Sequence, residues 1–100
     1  MENSGVSAFE KDQVVETVID IFVRVIGFIE RKEVCRTTNP ARDFYIDTDD
    51  LTLFITEVEK HFRIRASQSE WFGIDGTIDS VASLVLRHLS SGYRDPAPRF

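Results

Sequence analysis

Asp47, Asp49 and Asp50 stand within four residues of one another, and closely spaced carboxylates are the donors that hard cations such as calcium take. A calcium loop also needs a further donor two positions on, a glycine at its turn and a glutamate to close it. Positions 51 to 53 are Leu-Thr-Leu and Val58 stands where that glutamate belongs, so no metal site is expected. Cys35 lies between Val34 and Arg36 without a CxxC pair or an identifiable histidine base, which argues against a catalytic thiol. His61 and His88 have no ligand-spaced partners and fall near helix ends, where an imidazole is ordinary. Serine, histidine and aspartate are all present, but no Gly-x-Ser-x-Gly elbow occurs. No catalytic residue and no cofactor are expected, and the chain reads as something other than an enzyme.

The acidic residues then need another explanation. Asp43, Asp47, Asp49, Asp50, Glu57 and Glu59 share a window with no base, and Lys60, His61, Arg63 and Arg65 follow it. Capping at one helix end and dipole compensation at the other account for much of this pattern. Leu53 sits off the core stripe beside Asp49, Asp50, Thr56 and Glu57, and an apolar residue within an acidic rim is how a small docking site looks. Twelve Lys and Arg against seventeen Asp and Glu leave a net charge of -5, which repels phosphate backbones and excludes nucleic acid as the expected partner. Another protein with a basic patch fits better. A single cysteine gives no internal disulfide, and the first five residues lack the basic start and apolar stretch of a secretory signal, so a cytoplasmic location is expected.

One hundred residues, 42% of them hydrophobic, suffice for one modest core. The most apolar stretch, Val14 to Ile29, is broken by Glu16, Asp20 and Arg24 at four-residue intervals, which no membrane span favours. Val15, Val18, Phe22, Val25 or Ile26, and Ile29 form the core face of a helix, with Asp20 placed to attract Arg24 one turn on. Ser7 and Glu10 read as a capping box at its start. The β-branched run from Val18 to Val23 also suits a buried strand, but its length favours the helix. Periodicity fails from Arg31 to Ile46, where Thr37-Thr38-Asn39-Pro40 is turn chemistry within a long loop that Val34, Phe44 and Ile46 should pin to the core.

A second helix is predicted from Asp47 or Thr48 to Phe62, capped by its aspartates and packed through Leu51, Phe54, Ile55, Val58 and Phe62. Ser67 and Glu70 offer a capping box for a short helix containing Trp71 and Phe72, which Gly73 can end. The last helix starts at Thr77 as cap and packs through Ile78, Val81, Leu84 or Val85, and Leu89. The fold expected is thus all-α, a bundle of three longer helices and one short helix with a long loop after the first. It occupies residues 7–90, and 1–6 and 91–100 are read as flexible termini.

That order of elements resembles the acyl carrier proteins. Their pattern runs through an apolar-anchored loop into Asp-x-Gly-x-Asp-Ser-Leu and then a helix leading to Phe-Gly-Ile. Here Asp43-Phe44-Tyr45-Ile46-Asp47-Thr48-Asp49 leads to Phe54, Ile55 and Val58 and then to Phe62-Arg63-Ile64, while Thr77-Ile78-Asp79 is similar to the start of the final carrier helix. The likeness spans most of Phe9 to Leu89 and is one of pattern more than identity. The string Ile46-Asp47-Thr48-Asp49-Asp50, with Phe62 after it, is similar to a group of short bacterial carrier-like proteins of uncharacterised activity that have Ile-Asp-Gly-Asp-Asp there.

In the carriers, a serine at the start of the second helix is joined to phosphopantetheine. This chain has Thr48 at that place in a gapless alignment, or Asp50 when the alignment is anchored on Leu51. A carboxylate cannot form the phosphodiester, and a threonine hydroxyl is secondary and hindered by its methyl group. Gly76-Thr77-Ile78-Asp79-Ser80-Val81 imitates the attachment motif, but only twenty residues follow Ser80, which reads instead as the third residue after the Thr77 cap. The resemblance therefore implies the fold and a docking surface on the second helix, through Asp47, Asp49, Asp50, Leu53 and Glu57, in a protein-interaction module with Thr48 unmodified. A true carrier modified at Thr48 is the first alternative. A small acidic inhibitor or immunity-type protein using the same surface is the second.

Overall fold

The computed structural model describes the backbone of residues 2–91 and the side chains of residues 11–89. Five α-helices and a short 3-10 turn account for its regular structure, and no strand occurs among the described residues. The first helix, α1, spans Glu2–Ile26. It stops where Gly27 takes φ +87°, a left-handed conformation that costs glycine little, and donates its N–H to the Val23 carbonyl at 3.0 Å. Because α1 begins at Glu2, Ser7 and Glu10 lie inside it and do not form its cap.

Val14, Val15, Val18, Ile19, Ile21 and Phe22 are all buried, so α1 is apolar around much of its circumference and packs against both later long helices. The polar stripe is also wired differently from the expected Asp20 to Arg24 pair. Asp20 accepts from Arg31 Nε at 2.8 Å, Arg31 also meets Glu16, and Arg24 lies 3.8 Å from Glu57. Arg31, entering from the connection, reaches Glu16 and Asp20 together with one planar guanidinium, whereas Arg24 is turned toward Glu57 of the later helix.

The connection after α1 is not structureless. A 3-10 turn occupies Arg31–Glu33, and a one-turn helix, α2, occupies Pro40–Asp43. The bundle therefore has two short helices where one is expected from the sequence. Asn39-Pro40, read as a turn, is equally a helix start: the Asn39 side chain caps by accepting from Arg42 N–H at 3.1 Å, and proline fits the first helical position. Val34 and Ile46 are buried and Phe44 packs 6.2 Å from Phe22, as predicted for the loop's anchors. The carbonyls of Thr38 and Arg36 accept from Ile78 N–H at 2.9 Å and Asp79 N–H at 2.8 Å, which ties the connection to the start of the last helix.

The helix α3 spans Thr48–Phe62, α4 Gln68–Phe72 and α5 Ile78–Ser91. Phe54 and Val58 are buried, Leu51, Ile55 and Phe62 are partly buried against the core, and Phe54 meets Phe22 edge-on at 5.3 Å. Along α5, Ile78, Val81, Ala82, Leu84 and Val85 are buried, whereas Leu89 is 43% exposed and does not continue the stripe. His88 takes that place, one turn after Val85, and pairs with Glu70 of α4 at 2.8 Å. The tail predicted beyond α5 lies outside the described residues from position 92 onward.

Candidate functional site

The start of α3 is built by its own carboxylates. Asp47, in extended conformation, caps the helix by accepting from Asp50 N–H at 3.0 Å through Oδ1, and its carbonyl accepts from Leu51 N–H at 3.0 Å. Tyr45, two residues earlier, has φ +55° and is 87% exposed, so the chain enters the cap through a left-handed residue that is not glycine. Thr48 and Asp49 are exposed beside the cap, and Leu53 is 49% exposed one turn after Asp49.

The six-carboxylate window divides in two. Asp43 bonds Arg42 at 3.0 Å, Glu57 lies 3.5 Å from Lys60 and 3.8 Å from Arg24, and Glu59 faces α4. Among the described residues, no basic side chain forms an ion pair with Asp47, Asp49 or Asp50. Unpaired negative charge is thus concentrated at the first turn of α3, where the helix dipole favours it. Glu57, predicted with that group, sits at its edge and is drawn toward α1.

Thr48, Leu51, Thr52 and Ile55 share the next face of α3 and form one wall of a cavity of about 280 Å³. Trp71 and Phe72 of α4 face them, Ile74 and Val81 lie between, and Asn39, Pro40 and Ala41 close one side. Several contacts hold the α4 wall in place. Ser67 and Glu70 make the predicted capping box, and Glu59 Oε2 accepts from Trp71 Nε1 at 3.1 Å and from Ala66 N–H at 3.1 Å. The bond from His88 adds to the Ser67 N–H in holding the Glu70 carboxyl below its usual range, with the backbone N–H the larger cause. At the far corner Gly76 has φ +90°, and a Cβ there would come within 3.0 Å of Asn39 Nδ2, which donates to the Asp75 carbonyl at 3.0 Å.

The cavity joins residues that lie far apart in the sequence. Trp71 serves as cavity wall, while Phe72 is 78% exposed at the lip. Glu59 belongs to the acidic window by position, but its hydrogen bonds are internal. A glutamate within reach of the only tryptophan offers no periodic signal, because the two lie on different helices.

A second hollow of about 400 Å³ lies between α1 and the connection, with Cys35, Arg31 and Arg36 on its border. The Cys35 thiol is lowered to about 7, first by the Thr37 hydroxyl at 3.1 Å and then by that of Thr38. Arg36 is committed to Asp79 at 2.9 Å and Asp12 at 3.3 Å. Among the described residues, no group of three or more His, Cys, Asp or Glu is placed to hold a metal ion, and no helix is long and apolar enough to cross a membrane. No protein-family model matches the chain, and neither a curated protein nor a solved structure matches it significantly.

Proposed function

We propose that the protein is an acyl-carrier-like interaction module that carries no prosthetic group and docks a basic partner protein through the start of α3. The observation that carries this reading is the unpaired state of Asp47, Asp49 and Asp50 beside the exposed Leu53, while Asp12, Glu16, Asp20, Asp43, Glu57, Glu70 and Asp79 all have cationic or imidazole partners. Exposed charges that find no partner within the molecule are available to steer one from outside, and an apolar residue among them can be desolvated on contact. The order long helix, long connection, acid-capped helix, short helix and last helix supports the carrier-like part of the reading.

The alternative of a true carrier draws on Thr48, whose side chain is exposed at the rim of the α3–α4 cavity. Intact mass separates the two. After incubation with coenzyme A and a broad-specificity phosphopantetheinyl transferase, the interaction module keeps its mass. A gain of one phosphopantetheine that disappears in Thr48→Ala establishes the carrier instead.

A further inference from the structure

We propose that the cavity between α3 and α4 receives one large apolar side chain of a partner protein, with a neighbouring Lys or Arg of that partner seated on Asp49. This rests on the docking reading and adds to it what the docked segment must contain.

The walls select the tip of the occupant. Leu51, Phe54, Ile55, Trp71, Ile74 and Val81 supply carbon surface, and the polar groups are at the margin. Asn39 is held at the margin with both amide atoms already engaged, its Nδ2 donating to the Asp75 carbonyl and its Oδ1 accepting from Arg42 N–H. The Trp71 N–H is likewise taken by Glu59. Thr48, Thr52 and Asn39 are the polar side chains of the lining, and against the carbon surface of the other walls a polar group would lose its water without a partner, so the part that enters is apolar. Size narrows the choice further, because about 280 Å³ falls just below the roughly 300–1,000 Å³ range of pockets that enclose whole drug-sized ligands. It is room for an anchor residue.

Charge at the mouth selects what adjoins that anchor. Asp49 lies one turn before both Thr52, on the cavity wall, and Leu53, on the outer surface, and therefore stands between the two apolar contacts. With Asp47 and Asp50 also lacking cations, an anionic headgroup such as that of a free fatty acid is repelled, whereas a lysine or arginine beside the anchor is attracted. Phe72, 78% exposed on the opposite lip, is placed to close over the anchor's backbone. Hydrophobic anchor and flanking cation thus occupy adjacent positions in one partner segment.

The test uses the full chain and a random dodecapeptide library displayed on phage. Selection is expected to enrich peptides with a large apolar residue next to Lys or Arg. The strongest peptide, made synthetically, should change the emission of Trp71, the one tryptophan of the chain. It should bind Thr52→Phe, which fills the mouth from an exposed helix position, about tenfold more weakly, the scale of losing one anchor. Asp49→Asn should also weaken it, more so at low salt. Circular dichroism and an unchanged denaturation midpoint establish that each variant is folded. Loss with Asp49→Asn but none with Thr52→Phe overturns the cavity anchor and leaves the docking surface standing. Loss with neither, or enrichment of peptides lacking a basic residue, overturns both. Dodecanoate displacing the peptide and shifting Trp71 emission at lower concentration overturns the proposal in favour of a lipid site.

Discussion

Glu59 Oε2 accepts the indole N–H of Trp71 at 3.1 Å across the gap between α3 and α4, and the same oxygen accepts from Ala66 N–H at 3.1 Å. One carboxylate thereby fixes both the entry to α4 and the orientation of the cavity wall. Glu59→Leu leaves two donors without an acceptor, and each unsatisfied group costs about 1–3 kcal/mol when shielded from water. A lower urea midpoint together with a shifted Trp71 emission is the expected result, and Glu59→Gln, which keeps one acceptor oxygen, should recover part of both.

Core packing gives a graded test of the register of α3. Phe54 is 2% exposed and contacts Phe22, while Phe62 is only partly buried at the helix end. Phe54→Ala is expected to cost about 3–5 kcal/mol, a large fraction of the stability of a small domain. Phe62→Ala should cost less, and chemical denaturation of the two variants measures the difference.

The register of α3 was legible because Leu51, Phe54, Ile55, Val58 and Phe62 recur at helical spacing and Asp47 announces the cap. The Ser67–Glu70 box was legible for the same reason: the interacting groups are three residues apart. What escaped the sequence was fixed by contacts between distant segments. Arg31 takes Asp20 from Arg24, His88 displaces Leu89 from the stripe of α5 by reaching Glu70, and Glu59 turns inward to Trp71. The Asn39-Pro40 pair was ambiguous locally, since the same two residues begin a turn or a helix. Of the candidate site, the carboxylates at positions 47, 49 and 50 and the exposed Leu53 could be read directly. The cavity beside them could not, because its walls come from three helices and the connection.

Thiol chemistry offers a second readout of local structure. With the Cys35 thiol near 7, alkylation by iodoacetamide should rise through that pH and level off about one unit above it. The thiolate is favoured by hydroxyl donors, so Thr37→Val should move the midpoint upward and slow the reaction at neutral pH. Mass spectrometry of the quenched reaction follows both.

Acid should weaken the fold through carboxyls held low in the native state. Glu70 is lowered by the Ser67 N–H and His88, Asp75 by Thr77, and Asp79 first by Arg36. Such groups bind protons more readily when unfolded, so they add stability above their ordinary values of 4.5 and 3.8 and lose it as pH falls through the depressed native values. The urea midpoint should therefore drop in that acid range, and Glu70→Gln should be less stable at neutral pH but show a shallower decline.

The docking surface is tested most directly by association kinetics with the partner that native cell extract yields, comparing wild type with Asp49→Asn, Leu53→Ala and Glu57→Gln. Asp47 is left intact, because removing a cap costs about 1 kcal/mol and confuses folding with binding. Association should slow as salt rises, since exposed charges are screened over about 8 Å at physiological ionic strength. Asp49→Asn should lower the association rate, Leu53→Ala should raise the dissociation rate, and Glu57→Gln, whose carboxylate is shared with Arg24 and Lys60, should change either less. Equal affinity for wild type and a folded Asp49→Asn, Leu53→Ala double variant contradicts the account and moves the interface away from the start of α3.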